Sequence, residues 1–506
     1  MKKKTSFTSL LAMALLFILL PSCKKDNLQD VNQEPNKNSE TLGYEKTIAA
    51  KQKFAIILSK AVSDNAQLRS FIQNEALKKV DNDYDVFYHF VKQNEVSQGK
   101  TLREILLQYE SKSGELAEVE NILPLLTIFV PTLPNGFNPK NWVSSIEVPS
   151  VTSNFIEKDN TFPIYNNGVK VTSLKANEIP GFPTLVIKEN ERLKLKQNVL
   201  LKSANSELNS SSFEFIDEAF NGLAKTKGSI VVPSELNPDP ILKEAYNTFG
   251  LSNTEWQRDY IYYGLTKTID KGALNLRMVE TIRMLKFSKM ALDKMSDQSG
   301  DPTLVGGNWM GAINRKLIQK GAWSDGKFEI RIDPIINNTR GLSTGLTKYI
   351  SMDPDELFFI QYQIVNSGSV RYVRYVMDQI TPLEYYCNIK LITWDLQTNS
   401  YSWKFLVSEV DDQETYTTTE TVTSDFATNF GLNLKIGLSF GSSSKETRTN
   451  TSTLVRQKNS DDLGTLELNF SSPVYLDPTG GRNSRDQLYT ISNPMVEMLV
   501  IPTKDF

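Results

Sequence analysis

Histidine and cysteine are almost absent from this chain of 506 residues, which contains one histidine and two cysteines. Zinc sites take most of their ligands from these residue types, and serine or cysteine nucleophiles usually rely on a neighbouring histidine base. Two cysteines are also too few for a disulfide framework. We therefore predict no metal site, no cofactor and no catalytic residue, and expect a protein that is not an enzyme.

Long apolar runs are also missing, apart from one near the start. Residues 10–20 are all apolar, and Lys2, Lys3 and Lys4 precede them. A membrane-spanning helix needs about 20 such residues, so this run is too short for an anchor. A basic start followed by a short apolar run is typical of a secretory signal. The pattern predicts a signal peptide over residues 1–22.

The residues that follow the apolar run are Leu20, Pro21, Ser22 and Cys23. A cysteine directly after a small residue at this place resembles the lipobox of bacterial lipoproteins. The resemblance implies cleavage between Ser22 and Cys23, and lipidation of Cys23 on its sulfur and its new amino group. The alternative is a non-lipidated secretory signal, which would leave an exposed free thiol in an oxidising compartment.

The residues after Cys23 are polar and rich in asparagine. This composition predicts a flexible, lipidated tether over residues 23–44. Its first charged residues, Lys24, Lys25 and Asp26, are similar to export signals of surface lipoproteins in some Gram-negative groups. The resemblance implies attachment to the outer membrane through acylated Cys23, facing the cell exterior, with the periplasmic face as the alternative.

The charge of the mature chain argues against nucleic acid as a partner. Removing residues 1–22 removes three lysines and no acid, so 53 basic residues face 59 acids and the formal charge is −6. A mildly acidic protein does not attract a polyanion. The partners that we expect are therefore the lipid bilayer and an unidentified carbohydrate or protein ligand.

Periodicity and turn signals predict an α+β multidomain protein. Residues 45–200 read as a module of helices and a small sheet, with a capping box from Thr101 to Glu104 and a hairpin turn at Asn167 and Gly168. A serine-rich linker over 201–212 leads to a helical segment over 213–305. Residues 306–506 read as an antiparallel, sandwich-like β-domain.

The patterns also predict particular elements. In the first module, short strands are expected at 125–130, 162–165 and 184–188. In the middle segment, helices are expected at 256–265 and 276–295, the second with a loose stripe of methionines.

The strongest single pattern is an alternation over residues 430–440. Every even position is apolar and every odd position is small or polar; the apolar residues are Phe430, Leu432, Leu434, Ile436, Leu438 and Phe440. Serine- and threonine-rich segments flank this run. The length suits a membrane-spanning β-strand. The alternation, with its serine- and threonine-rich flanks, resembles the inserting hairpins of aerolysin-like pore-forming proteins. A half-buried strand of a sandwich would show the same alternation.

Carboxylates offer one enzyme class that needs no histidine, because glycosidases use two acids and aromatic platforms. The acids available beside the tryptophans of the β-domain are Asp353, Asp355, Glu356, Asp395, Asp411, Asp412, Asp461 and Asp462. Their spacing does not single out a pair, so a glycosidase stays the second alternative, after the pore-forming protein.

Three further features have structural interpretations. Asp81, Asp83 and Asp85 resemble the start of an EF-hand loop, but the glycine and glutamate that the loop needs later are missing, and capping of a helix explains the acids. His89 and Cys387 lack a His or Cys neighbour and are expected to be buried core residues.

The function that we expect is non-enzymatic binding or scaffolding at the cell envelope, through loops or exposed strand edges of the β-domain. If the ligand is a carbohydrate, Trp394, Tyr401 and Trp403 are the candidate binding residues. Tyr401 and Trp403 share one face of a predicted strand, although two aromatic residues on one face also suit core packing.

Overall fold

The computed structural model describes most of the chain from residue 37 onward. The described residues are 37–154, 161–175, 177–196, 208–223, 236–249, 256–266, 268–269, 272–295, 323–324, 326–338, 341–343, 346–365, 372–395, 398–410, 415–427, 445–457, 462–476 and 488–505. Two units are distinguished, Met1–Glu45 and Lys46–Phe506, and the description below concerns the second, apart from the start of helix α1.

Helices are concentrated in the first third of the described chain. They are α1 (Lys37–Asp64), α2 (Ala66–Leu77), α3 (Tyr88–Val91), α4 (Leu102–Leu107), α5 (Glu115–Ile122), α6 (Pro240–Phe249), α7 (Gln257–Tyr263), α8 (Lys289–Met295) and α9 (Pro354–Leu357). None of the described helices is long and apolar enough to cross a bilayer. Helix α4 begins with the predicted capping box, in which Thr101 Oγ1 accepts the Glu104 amide and Glu104 Oε2 accepts the Thr101 amide.

The chain up to residue 215 contains one large sheet and several short strands, the last of which lies in the segment predicted as helical. These are β1 (Asp85–Phe87), β2 (Glu95–Ser97), β3 (Lys100–Thr101), β4 (Leu126–Phe129), β5 (Ser150–Ser153), β6 (Thr161–Asn166), β7 (Val169–Lys175), β8 (Ile179–Pro180), β9 (Thr184–Glu189), β10 (Leu193–Leu195) and β11 (Phe213–Phe215). The six-stranded sheet has the order β1-β4-β9-β5-β6-β7. The predicted strands at 125–130, 162–165 and 184–188 are confirmed.

The turn between β6 and β7 shows how local sequence sets the register. Asn167 and Gly168 both have positive φ, 48° and 75°, the conformation that a two-residue type I′ hairpin requires and that Asn-Gly tolerates best. The predicted hairpin is therefore confirmed. The turn also contacts α1, where Ser59 Oγ accepts the Gly168 amide at 2.9 Å.

The remaining strands follow residue 277. They are β12 (Met278–Phe287), β13 (Phe328–Asn338), β14 (Gly341–Ser343), β15 (Lys348–Met352), β16 (Phe358–Val365), β17 (Arg374–Pro382), β18 (Tyr385–Lys390), β19 (Ser402–Glu409), β20 (Thr415–Ala427), β21 (Lys445–Gln457), β22 (Asp462–Asn469), β23 (Ile491–Ser492) and β24 (Val496–Lys504). In the described chain, these strands pair with their neighbours in antiparallel orientation.

One predicted helix is wrong over most of its length. Residues 278–287 form strand β12, which pairs with β18 on one side and β24 on the other, and only Lys289–Met295 is helical. Eight of the ten β12 residues are buried. A strand buried on both faces loses its two-residue alternation, so its apolar pattern cannot be told from that of a buried helix. The predicted helix at 256–265 is confirmed as α7.

The sheets share one apolar core. It includes Phe54 of α1, Phe162 of β6, Ile282 of β12, Phe328 of β13 and Ile501 of β24. Strand β8 of the first module pairs with β17, and β13 forms a sheet with β14, β15, β19 and β22. The fold therefore combines helices with several sheets, which agrees with the predicted α+β class.

Candidate functional site

Strands β16 and β17 form an antiparallel pair, here called the edge ribbon, whose outer strand is exposed. The pairing runs from Phe358 opposite Pro382 to Val365 opposite Arg374. Strand β17 is the middle strand of the sheet β16-β17-β8. In the part of the chain that the structure describes, no strand pairs with the outer edge of β16.

The turn end of the edge ribbon is fastened to the first module. Arg374 and Tyr375 pair with Pro180 and Ile179 of β8. The Arg374 guanidinium donates to Glu178 Oε2 at 3.2 Å and to Thr172 Oγ1 at 3.0 Å. These contacts hold β17 against the first module, so β16 pairs with a strand that is itself fastened on its other side.

The other end of the edge ribbon begins directly after helix α9. The Asp353 amide donates to Glu356 Oε2 at 2.8 Å in a capping box, and Lys327 Nζ lies 2.9 Å from Asp353 Oδ2. Burial raises the pKa of both Glu356 and Asp355. Two of the acids considered for a glycosidase, Asp353 and Glu356, thus cap the start of helix α9.

The outer strand itself is apolar, exposed and free of charge. Its sequence, FFIQYQIV, contains no acidic or basic residue. Phe359 is 53% exposed, Ile364 is 64% exposed, and Tyr362 lies partly exposed between them. Edge strands in soluble proteins are normally protected by charges, prolines or a covering segment, because unpaired amides and carbonyls attract other strands. Strand β7, an edge of the large sheet, has Lys170 and Lys175.

The only ionisable side chain on the outer strand is Tyr362. Partial burial of the ring and the nearby Asp355 carboxylate raise its pKa to about 12. The phenol therefore stays neutral near neutral pH, where the strand presents no charge. This strand was not predicted from the sequence, although an uncharged run of eight residues after a capping box is a readable signal.

The acids at 81–85 do not cap a helix, and that interpretation is wrong. Asp81, Asp83 and Asp85 are buried and surround Arg192, at 3.4 Å from its guanidinium in each case. Lys188 Nζ lies 3.2 Å from Asp85 Oδ2. We call these residues, with Glu329, the charge cluster. It connects β1 and the segment after β9 with β13, because Arg192 also bonds Glu329.

The pKa values in the charge cluster follow from burial opposed by charge. Burial raises the pKa of Asp85 well above its usual range and that of Glu329 to about 7, although Arg192 acts against the Glu329 shift. Burial acts in the same direction on Asp83, but Arg192, Lys327 and Lys188 outweigh it and lower its pKa. Burial would lower the pKa of Lys188, but Asp85 and Glu191 raise it.

The charge cluster is a joint between chain segments rather than an open site. Gly326, with a φ of +104°, passes so close to Asp83 that an added Cβ would lie 2.6 Å from its Oδ2, so the cluster is closed by backbone. Among the residues that the structure describes, no three histidine, cysteine or carboxylate side chains are arranged to hold a metal ion.

The three aromatic residues considered for carbohydrate binding lie in or at the core. Trp394 and Trp403 are buried and pack on Phe470, with ring centroids 4.3 Å and 4.7 Å away. Tyr401 is partly buried and packs against the core. These positions favour the core-packing interpretation of the two tryptophans, which present no surface to a sugar in this arrangement.

His89 and Cys387 lie in the core, as expected. Burial, with Lys92 nearby, lowers the pKa of His89 to about 4, and its Nε2 lies 3.3 Å from the Leu123 carbonyl. Burial raises the pKa of Cys387 to about 12, and its Sγ donates to the Ile282 carbonyl. Neither side chain is presented to a substrate.

Several predicted residues lie outside the described part of the chain. These are Ser22 and Cys23, the acids Asp411, Asp412 and Asp461, and Phe430, Leu432, Leu434, Ile436, Leu438 and Phe440.

The strands on either side of 430–440 are described, and they pair with each other. Strands β20 and β21 form a two-stranded sheet from Thr415 opposite Gln457 to Ala427 opposite Lys445.

Other polar features have local explanations. Asp395 accepts the Tyr263 hydroxyl at 3.0 Å and the Thr398 hydroxyl at 2.9 Å, and Asp462 accepts the Gly464 amide.

A surface cavity of about 470 Å³ is lined by charges of both signs, and two of them, Lys504 and Asp239, pair at 3.0 Å. The exposed edge of β16 is therefore the feature best suited to contact a partner.

No family model, no curated protein and no solved structure matches this chain.

Proposed function

We propose that this protein is a lipid-anchored lipoprotein of the outer membrane, facing the cell exterior, which binds another protein through the edge ribbon. The observation that supports binding is the exposed, uncharged outer strand Phe358–Val365, which pairs with a strand fastened to β8. In this proposal the first module lies nearest the membrane on its tether, and the antiparallel β-domain presents the edge.

The partner is an extended polypeptide segment that adds a strand to the sheet. Main-chain hydrogen bonds along an open edge supply affinity in this mode, and alternate side chains supply specificity. Phe359 and Ile364, both more than half exposed, would cover apolar side chains of the added strand. A charged segment finds no partner on FFIQYQIV, so the bound segment is apolar or neutral.

Peptide-display selection against the purified mature protein tests this proposal. Selected peptides are expected to protect the amides of β16 from hydrogen exchange, and Ile364→Lys is expected to weaken their binding at least about tenfold, because a lysine on an edge opposes strand addition. The matched control is Val169→Lys on β7, where the native residue is exposed to a similar degree. Binders that protect other amides, or that ignore Ile364→Lys, would disprove it.

The location is tested by surface proteolysis of intact cells, followed with an antibody to residues 306–506. Digestion of intact cells supports the exterior location. Digestion only after lysis would place the β-domain in the periplasm and leave an envelope scaffold as the function.

The β20–β21 pair favours a second function, that of a β-pore-forming protein. Because these strands pair with each other over thirteen residues each, the amphipathic run 430–440 lies in the connection between two paired strands. This is the chain order of an inserting hairpin. Purified protein would then release dye from liposomes, and Leu434→Asp would abolish the release. Protein that is inert on all membranes tried, also after proteolytic nicking, would end this hypothesis.

A further inference from the structure

A loop of the first module presents aliphatic side chains to solvent. Between β4 and β5, Ile146 is 75% exposed and Val143 is 48% exposed, and Val148 is also exposed. Such side chains scattered singly would need no explanation, but these three exposed aliphatic residues lie within six positions of one loop. We call residues 140–148 the aliphatic loop.

The backbone of the aliphatic loop is held from below by helix α2. The buried Arg69 guanidinium donates to the Ser144 carbonyl at 2.7 Å and to the Ser145 carbonyl at 3.2 Å. Gln73 Nε2 donates to the Trp142 carbonyl at 2.7 Å, and Gln73 Oε1 accepts the Ser144 hydroxyl. These hydrogen bonds fix the backbone of the loop and leave its three aliphatic side chains facing solvent.

Two contacts within the loop complete this framework. The buried Trp142 indole donates to the Glu147 carbonyl at 3.1 Å, and Glu147 Oε2 accepts the Val143 amide at 2.7 Å. The Glu147 carboxylate is thus already engaged by backbone. Exposed Lys140 forms no ion pair with any residue of the described chain, so its charge is available.

Exposed aliphatic side chains and an exposed lysine on one loop match the interface of a bilayer, where phosphate groups lie above the acyl chains. The tether favours the same occupant. Helix α1 begins at Lys37, so the tether is shorter than the predicted stretch 23–44 and ends before that residue. A flexible chain of about 14 residues has a root-mean-square span of roughly 20 Å, so an anchor at Cys23 would keep the first module close to the lipid surface. A loop with a fixed shape then meets the membrane repeatedly without losing conformational entropy.

We propose that the aliphatic loop inserts Val143, Ile146 and Val148 into the headgroup region of the membrane to which the protein is tethered, and thereby orients the folded unit. This inference rests on the lipid anchor proposed above. Three aliphatic side chains are few, so the loop sets the orientation while the acyl chains supply the attachment.

The test uses the acylated full-length mature protein in vesicles of phosphatidylethanolamine and phosphatidylglycerol. An environment-sensitive fluorophore is attached at Ile146→Cys and, in the control, at Leu276→Cys, where the native residue is equally exposed outside the loop. Cys387 is buried, so labelling is expected at the introduced cysteine and not at Cys387. The 146 probe is expected to shift to the blue and to be quenched at least about twofold by spin-labelled lipid, as insertion at the interface requires, with no change at 276.

The outcomes separate this inference from the anchor. Mass spectrometry of the N-terminal peptide reports acylation of Cys23 independently. If Cys23 is acylated and the 146 probe behaves like the 276 probe, the loop does not touch lipid and the inference fails alone. If Cys23 carries no acyl chain, the anchor and this inference fail together. Shielding of the 146 probe in intact cells but not in vesicles would assign the loop to a protein and overturn the inference.

Discussion

The Arg192 guanidinium donates to a carboxylate oxygen of Glu329 at 2.7 Å, across 137 residues of chain. Arg192 follows β9 of the first module, and Glu329 lies near the start of β13. Both side chains are buried. The contact therefore fastens the first module to the β-strands that follow residue 327, and it makes a strong prediction about stability.

Replacing Arg192 with methionine is expected to destabilise the protein by about 3–5 kcal/mol, because it leaves buried carboxylates without their partner. The free energy of unfolding from urea titration measures this change. The control is Lys53→Met, which removes the exposed pair with Glu118 at 2.7 Å and should cost less than about 1 kcal/mol. Equal losses for the two variants would show that the charge cluster does not stabilise the fold.

The pH dependence of stability should reflect Glu329. Burial raises its folded-state pKa to about 7, above the unfolded value of about 4.3, so the folded protein retains a proton that the unfolded chain releases. This contribution is fully present below about pH 4 and is lost as the pH rises through 7. The difference in unfolding free energy between wild type and Glu329→Gln should therefore change by on the order of 2 kcal/mol between pH 5 and pH 8. A constant difference would contradict the raised pKa.

His89 should contribute with the opposite sign. Burial lowers its folded-state pKa to about 4, below the unfolded value of about 6.5, so its contribution is present above pH 6.5 and is lost as the pH falls through 4. Because the chain has one histidine, its ring protons are assigned in NMR spectra without ambiguity. Their chemical shifts should titrate below pH 5. Titration near 6.5 in the folded protein would show that the ring is solvated.

Cys387 should be inert until the protein unfolds. It is fully buried, and burial raises the pKa of its thiol to about 12, while reaction with disulfide reagents needs the thiolate. Acylated protein should therefore show no reactive thiol when native and one in guanidinium chloride. Two thiols after denaturation would mean that Cys23 is not lipidated.

Local sequence determined the elements that depend on neighbouring residues. The capping box at Thr101 and the hairpin turn at Asn167 and Gly168 form as predicted, because their hydrogen bonds and φ angles involve residues at most three positions apart. Phe54, Ile57, Leu58 and Ala61 of α1, which recur at helical spacing, are likewise all buried. For these elements no distant contact competes with the local preference.

Tertiary structure alone decided the features that depend on distant residues. Residues 278–287 form a strand because β18 and β24, more than one hundred and two hundred residues away, pair with both edges, and their apolar pattern suits helix or strand equally. The acids at 81–85 are buried because Arg192 and Lys188 neutralise them. Likewise, β16 is an open edge only because β17 pairs with β8 on its other side. Charge pairing and strand order act over long sequence separations, and a sequence pattern does not specify them.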